Sequence, residues 1–195
     1  MIVGIGHVAR VGKDIAAGAL SRDLGFKRVA FADKLKELAI LADPIVTGAT
    51  QATNVGAGKG RLAWVVQGMG YDEAKSVYPE VRKFLQDLGA GARDVFGEDF
   101  WIEQALGPRK AKTHPSSKAD IVVSDVRYRN EAEEISERGG KMIRIDRPGY
   151  APHGHISETD LAGFEGWDAV IENVGTVQDL EAKVVNLVKE WQGDS

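Results

Sequence analysis

Short apolar runs alternate along the chain with segments whose apolar positions recur every three or four residues. Ile2, Val3 and Ile5 predict a buried strand that runs into a glycine-containing loop. Residues 14–24 read as a helix, with Ile15, Ala16, Ala19, Leu20 and Leu24 near helical spacing and Gly25 as its stop. "KRVAF" (27–31) predicts a second strand. "ADKLKELAILAD" (32–43) predicts a helix carrying Leu35, Leu38 and Leu41 or Ala42, ended by Asp43-Pro44. Residues 47–60, "TGATQATNVGAGKG", have no period and read as an exposed, mobile loop. Helical spacing resumes over 61–68 and 71–77. A stronger helix starts at Pro79, a favoured first-turn residue, and places Val81, Phe84, Leu85 and Leu88 on one face. "DFWIEQAL" (99–106) continues helical, and "GPRKAKTHPSSK" (107–118) is a basic polar loop.

In the second half, "DIVVSD" (120–125) reads as a buried strand followed by a helix over 130–138, and "KMIRID" (141–146) as the next strand. Residues 147–167 form a loop with one helical turn, and "AVIE" (169–172) is a last strand. The final helix carries Val177, Leu180, Val184, Leu187, Val188 and Trp191 on one side, with Thr176 and Asp179 as its capping pair. The four tryptophans, Trp64, Trp101, Trp167 and Trp191, fall mostly at core positions. Alternating strands and helices predict an α/β fold with a parallel sheet covered on both faces.

Composition narrows the function. A chain of 195 residues fits one compact domain or two small ones, and 43% hydrophobic content supports a sizeable core. A net charge of −4 argues against a general nucleic-acid or membrane binder, so any bound anion must be met by local positive groups. The absence of cysteine excludes disulfides and thiolate chemistry. No run approaches the roughly 20 apolar residues of a membrane span, and "MIVGIG" lacks the features of a signal peptide, which points to the cytoplasm.

Three Gly-Lys pairs occur, at 12–13, 58–59 and 140–141, and only the first lies between an apolar strand and a helix. There, backbone N–H groups and a helix N-terminus converge on one spot that favours an anion, and lysine adds a mobile positive charge. "GAGKG" at 56–60 reads as a linker. Against the usual pattern, His7 occupies the first glycine position and Asp14 the magnesium-ligating hydroxyl position. A side chain at that turn costs about 1–2 kcal/mol, so Gly6 is expected to supply some of the backbone freedom.

Further along, Arg82, Gln86, Gly89 and Arg93 share one face of a continuous helix, a fit for a phosphate and a base or equally a solvated face. "GAG" at 89–91 is a point where that helix can break. Trp101 follows the stripe and offers a stacking surface. Asp125 closes the "IVV" strand on the same sheet edge as the loop, where a carboxylate can hold magnesium or its waters, or serve as a cap. Arg127 stands within reach of a phosphate, and Asn130 and Glu131 read as a helix start. His153 and His155 have no carboxylate or cysteine cluster beside them to support zinc and belong to an adaptable loop.

The chain resembles the deoxynucleoside monophosphate kinases of tailed bacteriophages, a branch of the P-loop nucleoside monophosphate kinases. The resemblance runs through "MIVGIGHVARVGKD", "FADKLKE", "EVRKFLQDLGAGARDVFGEDFWI", "VVSDVRYRNEAEEI", "IRIDRPG", "HISETDL" and "NVGTVQDLEAKV" in order. That family's loop commonly reads Gly-x-x-x-x-Gly-Lys-Asp-Thr, so Asp14 follows it, whereas His7, Val11 and Ile15 depart from glycine, serine and threonine.

The resemblance implies a P-loop three-layer α/β/α sandwich with a parallel sheet of about five strands. It implies one kinase domain over 1–195: core 1–32, 118–146 and 168–195, a helical acceptor-binding arm over about 33–117 and a lid over about 147–167. It implies transfer of the ATP γ-phosphoryl group to a deoxynucleoside monophosphate, with Mg2+ as cofactor and no nucleic-acid or membrane partner. It allows a homodimer, and a host-cell cytoplasm if the gene is a phage's. Arg10, Gly12, Lys13, Asp14, Arg147, Asn173 and Gly175 would hold ATP. Asp33, Lys34, Arg82, Gln86, Arg93, Trp101 and Arg127 would hold the acceptor. Lys13, Asp125 and Arg127 would be catalytic, and Asp14 and Asp125 would face the metal, directly or through water. Two other readings stay open: a related small-molecule kinase acting on dephospho-coenzyme A or phosphomevalonate, and a nucleotide-binding module that has lost catalysis.

Overall fold

The computed structural model describes residues 1–8, 10–48, 58–108, 119–150 and 159–193. Five parallel strands form the main sheet: β1 (Ile2–Gly6), β2 (Lys27–Val29), β5 (Ile121–Val126), β6 (Lys141–Asp146) and β7 (Ala169–Glu172), in the order β2-β5-β1-β6-β7. The side-chain period of two sorts β1 between the faces. Val3 and Ile5 pack with α1 (Lys13–Leu24) and the last helix, α7 (Val177–Gly193), around Leu20, Ile143, Ile145, Leu180 and Val184. Ile2 packs on the opposite face with Ala132 and Ile135 of α6 (Arg129–Glu137), beside Met142 and Leu106. Gly4 also faces that side, where an added Cβ would lie 2.5 Å from Met142 Sδ. The sheet is therefore covered on both faces. Each fully buried Leu or Ile here contributes about 1.5–3 kcal/mol.

By residue contacts the chain divides into two compact units, Met1–Phe31 with Ile102–Ser195, and Ala32–Trp101. The first holds the sheet. The second contains α2 (Phe31–Ala42) from Ala32 onward, α3 (Leu62–Val77), α4 (Pro79–Phe96) and the start of α5 (Phe100–Leu106). Its core comprises Ala39, Val46, Leu62, Val65, Ala74, Val81 and Leu85.

The structure corrects four readings. The flanks of the 47–60 stretch are strands: β3 (Ile45–Thr47) pairs antiparallel with β4 (Lys59–Arg61), so Gly58-Lys59 leads into a hairpin and is not a linker. Residues 49–57 lie outside the described residues, as do 109–118 and 151–158, which include His153 and His155. Trp64 is 70% exposed and not core, because α3 turns its buried face through Leu62 and Val65 instead. The glycines at 89 and 91 leave α4 unbroken, since the buried Leu85 and Ala92 hold the helix on both sides of them. Gly6 stays paired in the sheet and leaves the left-handed backbone of the turn to His7.

Candidate active site

β1 ends at Gly6, whose smallness is needed for packing: a Cβ there would lie 2.8 Å from Trp167 Cη2. Gly6 does not supply the turn's freedom, because it is still paired in the sheet with Val126 and Arg144. His7 takes the left-handed conformation itself, at φ 89, as do Arg10 at φ 64 and Gly12 at φ 107. The His7 ring sits edge-on to Trp167, with Nδ1 3.1 Å from Asp146 Oδ1. Burial, and then the nearby Arg144 guanidinium, hold the imidazole pKa below its ordinary value. The ring is therefore neutral at pH 7, and its approach to Asp146 is a polar contact, not an ion pair. Arg144 clamps Asp146 through bonds of 2.7 and 2.6 Å and holds its carboxyl below the usual carboxylate range.

Two apolar residues pin the rest of the turn. Val8 and Val11 are buried in the sheet's core, an environment that suits valine at both positions. The Asn173 side-chain amide donates to the Val11 carbonyl at 2.8 Å. Gly12 is closely wrapped, since a Cβ there would meet Leu180 Cδ2 at 2.6 Å and Asn173 Nδ2 at 3.0 Å. Gly12 precedes α1, whose N-terminus has no side-chain cap. Lys13, the first residue of α1, is buried and donates to the carbonyls of His7 and Val8 at 2.7 and 2.6 Å. Thus an ammonium and an uncapped helix start lie on one turn, an arrangement that attracts an anion.

Around this turn, Asp14 accepts a 2.6 Å bond from Arg28, which also reaches Ser124 Oγ at 3.2 Å. Asp125 Oδ1 accepts the N–H of Phe31, capping the start of α2. Arg127 is exposed, and its N–H donates to Glu131 Oε2, which also accepts from Tyr128 N–H and so builds the α6 start. Arg147 is exposed, 5.0 Å over the Tyr150 ring. Gly175 lies against the Thr176–Asp179 cap, where a Cβ would be 2.5 Å from Asp179 Oδ2.

In the second unit, Arg82 and Gln86 are exposed on α4, and Gly89 fits against Leu35, with a Cβ 3.2 Å from Leu35 Cδ2. Arg93 is half-buried in the last turn. Trp101 is 8% exposed, and its indole N–H donates to the Gly89 carbonyl at 3.0 Å, so it braces the stripe from beneath. Asp33 and Lys34 are exposed and engaged along their own helix, with Lys36 and Glu37 respectively.

Sequence reading missed Arg28, Arg144 and Asp146. In "IRID" the signal is present: Arg144 and Asp146 stand two residues apart in an otherwise buried strand, which puts both polar side chains on one face.

A parallel sheet of this strand order, with a Gly-Lys turn leading from its central strand into a helix, defines a P-loop α/β protein. The family model for deoxynucleotide monophosphate kinase matches residues 72–184. A protein of Acanthamoeba polyphaga mimivirus, named provisionally as a deoxynucleotide monophosphate kinase, is 29% identical over 203 residues, covering 96% of each chain. Among solved structures, a dephospho-CoA kinase from Campylobacter jejuni aligns with TM-score 0.44 at 16% identity, covering 100% of this chain and 98% of that one. A shikimate kinase from Aquifex aeolicus aligns with TM-score 0.45 at 11% identity, covering both chains fully. The chain belongs to the deoxynucleotide monophosphate kinase family and is a phosphotransferase.

Proposed function

We propose that the chain transfers the γ-phosphoryl group of ATP to a deoxynucleoside monophosphate, giving the diphosphate and ADP, in the cytoplasm. The observation that carries this reading is the turn into α1, where Lys13 reaches back over the main-chain carbonyls of His7 and Val8 beside an uncapped helix start. Phosphoryl transfer needs in-line positioning and neutralisation of spreading charge more than covalent help. Gly12 and the amides that follow it would hold the donor phosphates, with Arg10 and Arg147 beside them. Lys13 would exchange its carbonyl acceptors for phosphate oxygens. Arg127 would steady the acceptor phosphate, Asp33 and Lys34 would line the acceptor arm, and Arg82, Gln86 and Arg93 would face the monophosphate. Asn173 and Gly175 would stand by the adenine.

Asp14 and Asp125 fit a magnesium ion accompanying ATP. Both are hard oxygen donors: Asp14 follows Lys13 on α1 with its side chain largely exposed, and Asp125 stands near the end of β5. Magnesium characteristically takes one or two carboxylates, substrate phosphates and several waters, so two suffice. When bound, it neutralises charge on the phosphate oxygens.

An acceptor panel with ATP and magnesium, read as ADP release, tests the reading. One or more deoxynucleoside monophosphates are expected to stimulate release, whereas dephospho-coenzyme A and phosphomevalonate are not. Lys13→Ala is expected to lower turnover by about 10²–10³ while the melting curve stays cooperative. Near-normal turnover in that variant would reject the assignment.

A further inference from the structure

The arginine stripe on α4 does not stop at Arg93. At about 100° per residue, Arg82, Gln86, Gly89, Arg93 and Phe96 fall within an arc of about 80°. Phe96 closes the helix and is 68% exposed, while the core of this unit is built by Val81 and Leu85 on the neighbouring flank. Its ring is stacked on Phe100, centroids 5.0 Å apart at 27°. Phe100 in turn meets Trp101 edge-on at 4.8 Å and 76°. Trp101 is bonded to the Gly89 carbonyl. The three rings thus form a ladder whose inner end is fastened to α4 and whose outer end is open.

We propose that the acceptor nucleotide's base stacks on Phe96, making this phenylalanine a specificity-determining residue of the kinase reaction. The inference rests on the kinase reading above and names the base platform within it. Trp101 has the larger ring, but its burial and its bonded N–H remove it from that role. Phe96 has what stacking needs: an accessible flat face, and a second ring behind it that limits its motion. Arg93 lies three residues before it on the same face, about 4.5 Å along the axis. One guanidinium and one aromatic face at that spacing suit the anionic and the flat ends of one nucleotide. Val95, also exposed, points about 100° away from Phe96, so the two do not share one flat apolar face.

Steady-state kinetics of Phe96→Ala test the proposal. Loss of a stacking face is expected to raise the acceptor KM about tenfold, more for purine than for pyrimidine deoxynucleotides, with the ATP KM within about twofold of wild type. Phe96→Trp is expected to keep the wild-type acceptor KM. Its new indole should also show saturable quenching by a deoxynucleoside monophosphate without ATP, beyond the response of the wild-type protein. An unchanged acceptor KM in Phe96→Ala, or an equal rise in the ATP KM, overturns the proposal. So does sedimentation of Phe96→Ala as a monomer where the wild type is a dimer, because the ring would then be covered by a second copy. If the wild type releases no ADP with any acceptor, the kinase reading fails, and the Phe96→Trp emission decides separately: saturable quenching keeps the stacking site and none removes it.

Discussion

His7 occupies a backbone region that glycine enters without penalty and that a side chain enters at a cost of about 1–2 kcal/mol. The ring is then lodged against Trp167 beside Asp146, where burial keeps it neutral. The consequence for stability has a definite sign. With the folded pKa below the ordinary value of about 6.5, the unfolded chain takes up a proton first as pH falls, so stability drops below that pH. Asp146 acts in the same direction lower down. Its folded pKa is depressed by Arg144, so its contribution is present above the ordinary carboxylate range and is lost on acidification through it. Replacing His7 by glycine removes the left-handed cost and adds unfolded-chain entropy, so at pH 7.5 stability should move by less than about 1 kcal/mol. Thermal melts at pH 7.5 and 5.5 should show a smaller acid-induced drop in His7→Gly than in wild type. Equal drops would mean that another group titrates.

At the scale of elements, Trp101 joins α5 to the carbonyl of Gly89 in the middle of α4. Phenylalanine removes the N–H together with part of the indole's volume, at a site that is buried. The lost bond alone should cost about 1 kcal/mol in Trp101→Phe, a fall of roughly 2–4 °C in melting temperature for a chain of this size. A larger fall would indicate that ring volume, not the bond, matters. Elements of this kind were legible from the chain where local chemistry decides them. Gly25 ends α1 in a left-handed cap, Pro79 starts α4, and the Thr176–Asp179 pair caps α7 as its spacing implies. The β3–β4 hairpin was not legible. Its strands are three residues each, and their pairing is made by contacts across a long intervening segment, which leaves no period to read. Trp64 misled for a related reason: its size favours burial, but its place on α3 was set by Leu62 and Val65.

For the whole molecule, the parallel sheet and the Gly12-Lys13 turn could be read in advance because strand, turn and helix are consecutive in the chain. The groups that hold the turn could not. His7 meets Asp146, Gly6 gives way to Trp167, and Val11 is bonded by Asn173, all partners brought in by sheet pairing and absent from any local pattern. The tie between Asn173 and Val11 spans 162 positions. It links the order of synthesis to the appearance of nucleotide affinity. A ribosome that has exported β1 and α1 has made the Gly12-Lys13 turn but not the partners that hold it from the far end of the sheet. If the turn holds ATP as proposed, that grip should emerge late, when β7 and the start of α7 arrive, and not when the glycine and lysine themselves leave the exit tunnel.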